Sequence, residues 1–193
     1  MRAALASLAL ILAAPATAQM TPAERVMQAT VAAEQERTLS LLERMVNQNS
    51  GSQNPDGVEK VAAMVRAELE PLGFAVRWLP LRQTGRAGHL VATHTGKRGT
   101  KRLLLIGHLD TVFEPDSPFQ RWTRDGDHGH GPGAADNKGG VAVILAALRA
   151  MKAAGTLKGA NITVFLTGDE EDPGTPQSLA RADLVAAGKA ADV

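Results

Sequence analysis

The sequence predicts an α/β fold in which a mixed, mainly parallel sheet is flanked by helices. Two continuous apolar runs, residues 103–106 and 162–166, have the pattern of strands that are buried on both faces. Between them, apolar residues recur at helical spacing, at Val141, Ile144, Leu145, Leu148 and Met151. A strand, a helix and a second strand in this order predict a βαβ unit, whose two strands are parallel and joined by a right-handed crossover.

The other elements are predicted from capping residues and from alternation. Thr21, Pro22 and Glu24 combine a capping hydroxyl, a proline at the first helical position and a glutamate three residues after the cap. They predict a helix that runs to about Val46. The remaining predicted elements are, in chain order, a helix that begins at Asp56 and ends before Gly73, strands over 74–78 and 89–94, a helix over 178–187 and a strand that begins at 191. We interpret the whole as one domain.

The composition excludes several classes of function. The chain has 193 residues, of which 44% are hydrophobic, an ordinary share for a globular domain. Its formal net charge of +1 provides no basic surface of the kind that binds nucleic acid, so a nucleic-acid partner is not expected. The chain has no cysteine, which excludes disulfide scaffolds, thiolate zinc sites and a cysteine nucleophile. A metal ion would therefore be held by His, Asp and Glu side chains.

The N-terminus has the pattern of a secretory signal peptide. Arg2 gives a short positive start, an apolar run covers residues 3–14, and Ala16-Thr17-Ala18 has the small-x-small form that signal peptidase accepts. A membrane anchor is the alternative, but a span needs about 20 apolar residues. We therefore predict that residues 1–18 are a signal peptide, and that the mature protein is secreted or periplasmic and has no membrane span.

Polar side chains follow both predicted buried strands. His108 and Asp110 come directly after the first strand, and Glu170 and Glu171 follow the second. Asp136 lies between them, in the glycine-rich segment that precedes the connecting helix. Because loops at the carboxyl ends of parallel strands converge where ligands bind, we expect these five side chains to share one pocket. His108 and Asp110 are two residues apart in extended backbone, so both can face it.

These residue types suit a metal centre. His, Asp and Glu ligands without cysteine are typical of Zn²⁺ or a similar divalent ion, and an acid shared by two ions would give a two-metal clamp. Of the adjacent Glu170 and Glu171, one can bind metal while the other acts as general base. Each motif alone has an ordinary alternative: a capped loop at His108, a solvated pair of glutamates, or a phosphate-binding loop before the helix. The glycine-rich segment lacks the Gly-x-x-x-x-Gly-Lys-Ser/Thr pattern, and Asp136 would repel phosphate.

Taken together, the motifs resemble a known enzyme family. The segments 107–112 (Gly-His-Leu-Asp-Thr-Val), 131–140 (Gly-Pro-Gly through Asp136 to Gly-Gly) and 169–171 (Asp-Glu-Glu) are similar in order and spacing to the two-zinc exopeptidases. That family includes glutamate carboxypeptidase, acetylornithine deacetylase, succinyl-diaminopimelate desuccinylase and aminoacylase. The Gly-Pro-Gly sequence and Asp110-Thr111-Val112-Phe113 favour the glutamate carboxypeptidase subgroup. The resemblance also covers the loop 49–52, between the first two predicted helices.

The resemblance implies a role for each matching residue. His108 would bind one zinc ion, Glu171 would bind the other, and Asp136 would bridge both. Glu170 would be the general base, and Asp110 would orient His108. The peptide bond between Asp136 and Asn137 would be cis. With two zinc ions as cofactors, the implied enzyme hydrolyses an amide bond in a small peptide or an N-acyl amino acid substrate, which in this subgroup is often glutamate-like.

Two departures from the family pattern stand out. The segment 172–176 (Asp-Pro-Gly-Thr-Pro) follows the paired glutamates, where members commonly have a small-residue loop such as Gly-Ser, and this difference bears on substrate preference. The family's further zinc ligands and its lid or dimerisation domain are not found in the 193 residues. We therefore expect the N-terminal part of a larger catalytic domain, with any homodimer formed through the missing domain. A non-catalytic metal-binding fragment and a two-metal phosphoesterase are the alternative functions.

Overall fold

A computed structural model of the protein describes residues 19–193. The predicted signal peptide, residues 1–18, lies outside the described residues. Among the described residues, no helix has both the length and the apolar character that a membrane span requires.

The first helix, α1 (Pro22–Ala33), begins with the predicted capping box. The Thr21 amide donates to the Glu24 carboxylate at 2.6 Å, and the Glu24 amide donates to the Thr21 hydroxyl at 3.2 Å. The capping box thereby provides acceptors for two backbone amides at this helix end. The prediction that the helix continues to Val46 is wrong, because it ends at Ala33.

The second helix, α2 (Gln35–Asn47), follows a break at Glu34. No residue of α1 is buried, whereas α2 buries Leu41, Met45 and Val46. At the break, the Glu34 carboxylate accepts a hydrogen bond from the guanidinium of buried Arg149 at 2.5 Å. The break therefore accompanies a tertiary ion pair, which helical periodicity in the sequence does not reveal.

The strands form one mixed sheet and one hairpin. In chain order they are β1 (Ala75–Pro80), β2 (Gly88–His94), β3 (Arg102–His108), β4 (Thr123–Asp125), β5 (His128–His130) and β6 (Asn161–Thr167). The main sheet has the order β1-β2-β6-β3. The β1–β2 and β2–β6 pairs are antiparallel, and the β3–β6 pair is parallel. The mixed sheet with flanking helices confirms the predicted α/β class, and the parallel β3–β6 pair confirms the predicted βαβ unit. The prediction that the sheet is mainly parallel is wrong, because β2 pairs antiparallel with both of its neighbours.

Two further helices cover the sheet and enclose the core. They are α3 (Pro55–Leu69) and α4 (Lys138–Ala153), the second of which connects β3 to β6. The core they share with α2 and the strands includes the fully buried Leu41, Met45, Leu69, Leu90, Leu145, Leu148 and Leu166. Burying such a side chain contributes about 1.5–3 kcal/mol. This core fixes the two parallel strands relative to α4, and so fixes the loops at their carboxyl ends.

The β4–β5 hairpin was not predicted. Its residues are exposed on both strands, so it lacks the apolar alternation by which a half-buried strand is recognised. His128 and His130 both lie on β5 and are exposed.

The C-terminal region contains two short helices instead of the single predicted one. They are α5 (Gln177–Ala180) and α6 (Ala182–Ala190), separated at Arg181. Beyond α6, the Asp192 amide donates to the Arg102 carbonyl at 2.9 Å, and the Leu104 amide donates to the Val193 carbonyl at 2.8 Å. The last residues therefore lie beside β3, but residues 191–193 are not part of a strand, although the sequence predicts one to begin there.

Candidate metal centre

The five predicted site residues lie around the carboxyl ends of β3 and β6. His108 is the last residue of β3 and pairs in the sheet with Thr167, the last residue of β6. Asp110 lies two residues after His108 in the chain, and Glu170 and Glu171 follow Thr167 after two intervening residues. The adjacent ends of two parallel strands therefore bring these side chains to one edge of the sheet.

His108 lies between two carboxylates. Its Nδ1 is 3.1 Å from the Asp110 backbone oxygen and 3.4 Å from Asp110 Oδ1, and its Nε2 is 2.9 Å from Asp136 Oδ1. Burial of the ring disfavours the charged form, but the carboxylates of Asp110 and Asp136 outweigh it and raise the pKa of His108 to about 9. Without a metal ion, the imidazole is therefore protonated at neutral pH. The Nδ1 contacts leave Nε2 as the nitrogen directed toward the other acids.

Asp110 is a fully buried anion with several donors around it. The Ser52 hydroxyl donates to Oδ2 at 2.6 Å, and the Glu171 amide donates to the same oxygen at 3.1 Å. The Glu170 amide donates to Oδ1 at 3.0 Å. Burial alone would raise the pKa of Asp110, but the hydrogen bonds from His108, Ser52 and the two amides lower it. Asp110 therefore stays ionised and joins the β3 end to the glutamate loop.

The ligand atoms of three side chains converge. One imidazole nitrogen of His108 and one carboxylate oxygen each of Glu170 and Glu171 lie within 4.8 Å of one another. Burial, together with the carboxylates of Asp136, Asp110 and Glu170, raises the pKa of Glu171 against the opposing effect of His108. Acids that crowd one another in this way, beside an imidazole and without a thiolate, form a donor set that fits a divalent cation such as Zn²⁺.

Asp136 is exposed, and its side chain has 74% of its surface accessible. It contacts the converging group through its 2.9 Å hydrogen bond with His108. Its peptide bond to Asn137 is cis, as the resemblance implies. The loop before it turns at Gly133, whose φ of +76° lies in the left-handed region that favours glycine.

Lys138, two residues after Asp136, has a hydrogen-bond partner that could not be predicted from the sequence. Its side chain is buried, and Nζ donates to the backbone oxygen of Gln48 at 3.0 Å rather than to a carboxylate. Gln48 follows the last residue of α2, so the ammonium lies at the negative end of that helix. Burial lowers the pKa of Lys138 to about 8. This contact ties the start of α4 to the end of α2.

Asp169, which precedes the paired glutamates, is a buried residue that the sequence analysis left without a role. Its carboxylate accepts from the Arg181 guanidinium at 2.5 Å and from the Gly174 amide at 3.1 Å. Its backbone oxygen accepts from Arg181 at 2.9 Å. Asp169 thereby anchors the loop that carries Glu170 and Glu171. Asp169 is visible in the sequence as part of an acidic run, but its partner Arg181 lies twelve residues further along the chain, so the pair cannot be recognised from that run.

A comparison with known proteins places this site in a family. Residues 104–192, which include all five predicted site residues, match the model of Peptidase family M20/M25/M40. The chain therefore carries an M20 peptidase family domain. This agrees with the resemblance drawn from its motifs.

Relatives of the M20 domain are longer than this chain. Carboxypeptidase G2 of Pseudomonas sp. (strain RS-16) is 38% identical over 146 residues, which make up 72% of this chain and 33% of that protein. The succinyl-diaminopimelate desuccinylase of Leptothrix cholodnii is 31% identical over 158 residues, or 78% of this chain and 40% of that protein. The chain thus spans only a third to two fifths of these relatives.

A solved structure shows the same fold. Human carnosine dipeptidase 1 superposes on 84% of this chain with a TM-score of 0.69 and 23% sequence identity. The superposed part makes up 37% of that protein chain. The mixed sheet and its helices are therefore the architecture of the M20 domain, and the candidate metal centre lies at the carboxyl ends of its parallel strands.

Proposed function

We propose that this chain is the metal-binding part of a zinc-dependent metallopeptidase or amidohydrolase. The observation that carries the proposal is the convergence of His108, Glu170 and Glu171, whose ligand atoms lie within 4.8 Å of one another, with Asp136 bonded to His108. In the proposed site, His108 and Glu171 would each hold one ion, and Asp136 would be shared by both. Such ions would polarise the scissile carbonyl and lower the pKa of the attacking water.

Two residues beside the proposed ligands would support the reaction: Asp110 would orient His108, and Glu170 would transfer the proton of the attacking water. Asp110 accepts at His108 Nδ1 and so keeps Nε2 available, in the arrangement by which carboxylates orient metal-binding imidazoles. Of the two glutamates, Glu170 is the exposed one, and it would act as general base. It would accept a proton from the attacking water and deliver it to the leaving amine. The amide is thereby cleaved to an acid and an amine with no net proton change on Glu170.

The proposed substrate is a small peptide or an N-acyl amino acid. The support comes from the relatives, one of which is named a carboxypeptidase and the other a desuccinylase of a succinyl amino acid. We further propose that the substrate carries a glutamate-like side chain, because the motifs resemble the glutamate carboxypeptidase subgroup. We also propose that the protein is exported, because residues 1–18 have the pattern of a signal peptide.

Metal stoichiometry and hydrolysis assays test this function. The protein, loaded with Zn²⁺, is assayed on peptidyl-glutamates, N-acyl amino acids and a phosphoester, before and after chelation. The proposal expects zinc-dependent cleavage of an amide and none of the phosphoester. Phosphoester cleavage without amide cleavage would contradict it, and zinc binding without any hydrolysis would favour a non-catalytic metal-binding role.

A further inference from the structure

The loop between α2 and α3 lies beside the strand end that carries the metal-binding motif. Gly51 forms a parallel bridge with Thr111. The Thr111 amide donates to the Ser50 oxygen at 3.0 Å, and the Ser52 amide donates to the Thr111 oxygen at 3.2 Å. These backbone bonds hold Ser52 next to Asp110, although the two residues are 58 positions apart in the chain.

The Ser52 side chain makes a short contact with a charged group. The residue is 1% exposed, and its Oγ lies 2.6 Å from Oδ2 of the ionised Asp110. An ionised carboxylate only accepts, so the hydroxyl is the donor. The distance is typical of a charge-assisted O–H···O⁻ bond, which is about twice as strong as a neutral hydrogen bond.

This bond determines how the Asp110 carboxylate is rotated. The terminal torsion of an aspartate has a broad, shallow preference, so its plane is set by its partners. The same carboxylate accepts the amides of Glu170 and Glu171 at 3.0 and 3.1 Å and lies 3.4 Å from His108 Nδ1. A rotation that broke one contact would weaken the others.

We propose that Ser52 is a positioning residue of the metal centre, whose hydroxyl holds the Asp110 carboxylate in the plane that fixes His108 and the Glu170–Glu171 backbone. Ser52 binds neither metal nor substrate in this account. The consequence for metal affinity rests on the proposed function, whereas the effect on the glutamate backbone does not.

Ser50 provides a matched control. It is in the same loop and is also fully buried, and its hydroxyl donates to the backbone oxygen of Leu109 at 2.8 Å. Replacing either serine by alanine removes one buried hydroxyl and one hydrogen bond. Only the Ser52 bond ends on the Asp110 carboxylate.

The first measurement uses the metal-free chain of 193 residues. Amide hydrogen exchange at Glu170 and Glu171 is followed by NMR in the unsubstituted protein, Ser52→Ala and Ser50→Ala. Faster exchange at both amides is expected in Ser52→Ala and not in Ser50→Ala. Ser52→Cys, which fills the site with a somewhat larger thiol but offers only a weak S–H donor, is the second variant and is expected to behave as Ser52→Ala.

The second measurement is a Co²⁺ titration of the same variants, followed by visible absorption. Loss of a side chain that orients metal ligands typically weakens metal binding by about 10–100-fold, and this loss with an altered cobalt spectrum is expected for Ser52→Ala. Ser50→Ala is expected to bind cobalt as the unsubstituted protein does.

The outcomes separate this inference from the proposed function. Unchanged amide exchange in both Ser52 variants, or equal weakening of cobalt binding by Ser50→Ala, would overturn the positioning role. If the unsubstituted chain binds neither Co²⁺ nor Zn²⁺, the proposed metal centre fails, and the exchange measurement alone then decides whether Ser52 positions the glutamate backbone through Asp110.

Discussion

Nε2 of His108 lies 2.9 Å from Oδ1 of Asp136, while Nδ1 of the same ring faces Asp110. Both nitrogens therefore meet acceptors, and the two carboxylates outweigh burial and raise the pKa of His108 to about 9. The protonated imidazole thus donates from Nε2 to the Asp136 carboxylate, between two groups of the proposed metal centre.

Zinc binding is expected to compete with this proton. Below a pKa of about 9 the ring must lose a proton to bind metal, so the affinity should rise by about tenfold per pH unit from neutral pH toward 9. Isothermal titration in buffers of different ionisation enthalpy should show about one proton released per site at neutral pH. Constant affinity across this range would contradict the His108–Asp136 interaction.

The two adjacent glutamates are expected to differ in function. Glu170→Gln removes the proposed base, so the hydrolysis rate should fall by about 10²–10⁴-fold while metal remains bound. Glu171→Gln removes a proposed ligand and should reduce the bound metal instead. Metal content by mass spectrometry, measured beside the rate, distinguishes the two. Loss of metal from Glu170→Gln with retention by Glu171→Gln would exchange their roles.

The ion pair between Arg181 and the buried Asp169 is expected to stabilise the protein. Arg181→Met leaves a carboxylate with no exposed surface without its cation, which should lower the free energy of unfolding by about 3–5 kcal/mol. Arg37→Met is the control, because Arg37 pairs with Glu68 at 2.9 Å but is 54% exposed and should contribute only about 0–1 kcal/mol. Urea denaturation of both variants checks this. Equal losses would show that Asp169 is not held mainly by Arg181.

Two helical glycines are expected to respond oppositely to alanine. A Cβ on Gly139 would lie 2.3 Å from the Ala134 backbone oxygen, so Gly139→Ala must displace the loop that carries Asp136. We expect a loss of about 1–3 kcal/mol in unfolding free energy and weaker zinc binding. Gly188 in α6 has nothing within 4 Å of that position, so Gly188→Ala should stabilise the protein by about 0.5–1 kcal/mol. Denaturation midpoints measure both, and a neutral Gly139→Ala would be the contrary result.

The parts of the fold that were predicted depend on local pattern. The apolar runs at β3 and β6 and the helical spacing in α4 are each complete within a few residues, so the βαβ unit and the edge where the site lies follow from them. The breaks at Glu34 and Arg181 were missed; each coincides with an ion pair to a residue outside the helix, Arg149 in one case and Asp169 in the other, which helical periodicity does not reveal.

The candidate site divides in the same way. Its five acidic and imidazole residues belong to short motifs, each complete within a few residues, whose order and spacing can be read from the sequence. Their supporting contacts cannot: the Ser52–Asp110 bond joins residues 58 apart, and the Lys138–Gln48 bond joins residues 90 apart. No local sequence pattern marks Ser52 or Lys138 for these contacts, because the contacts form only when the loops pack against each other.

Anomalous diffraction at the zinc edge, from crystals grown with Zn²⁺, tests the metal centre most directly. The proposed site predicts one peak within about 2.0–2.2 Å of His108 Nε2 and of a carboxylate oxygen of Asp136, and a second peak at the same distance from a carboxylate oxygen of Glu171. It also predicts that Nδ1 remains beside Asp110. Zinc bound elsewhere, for example by the exposed His128 and His130, with no peak at His108, would contradict it.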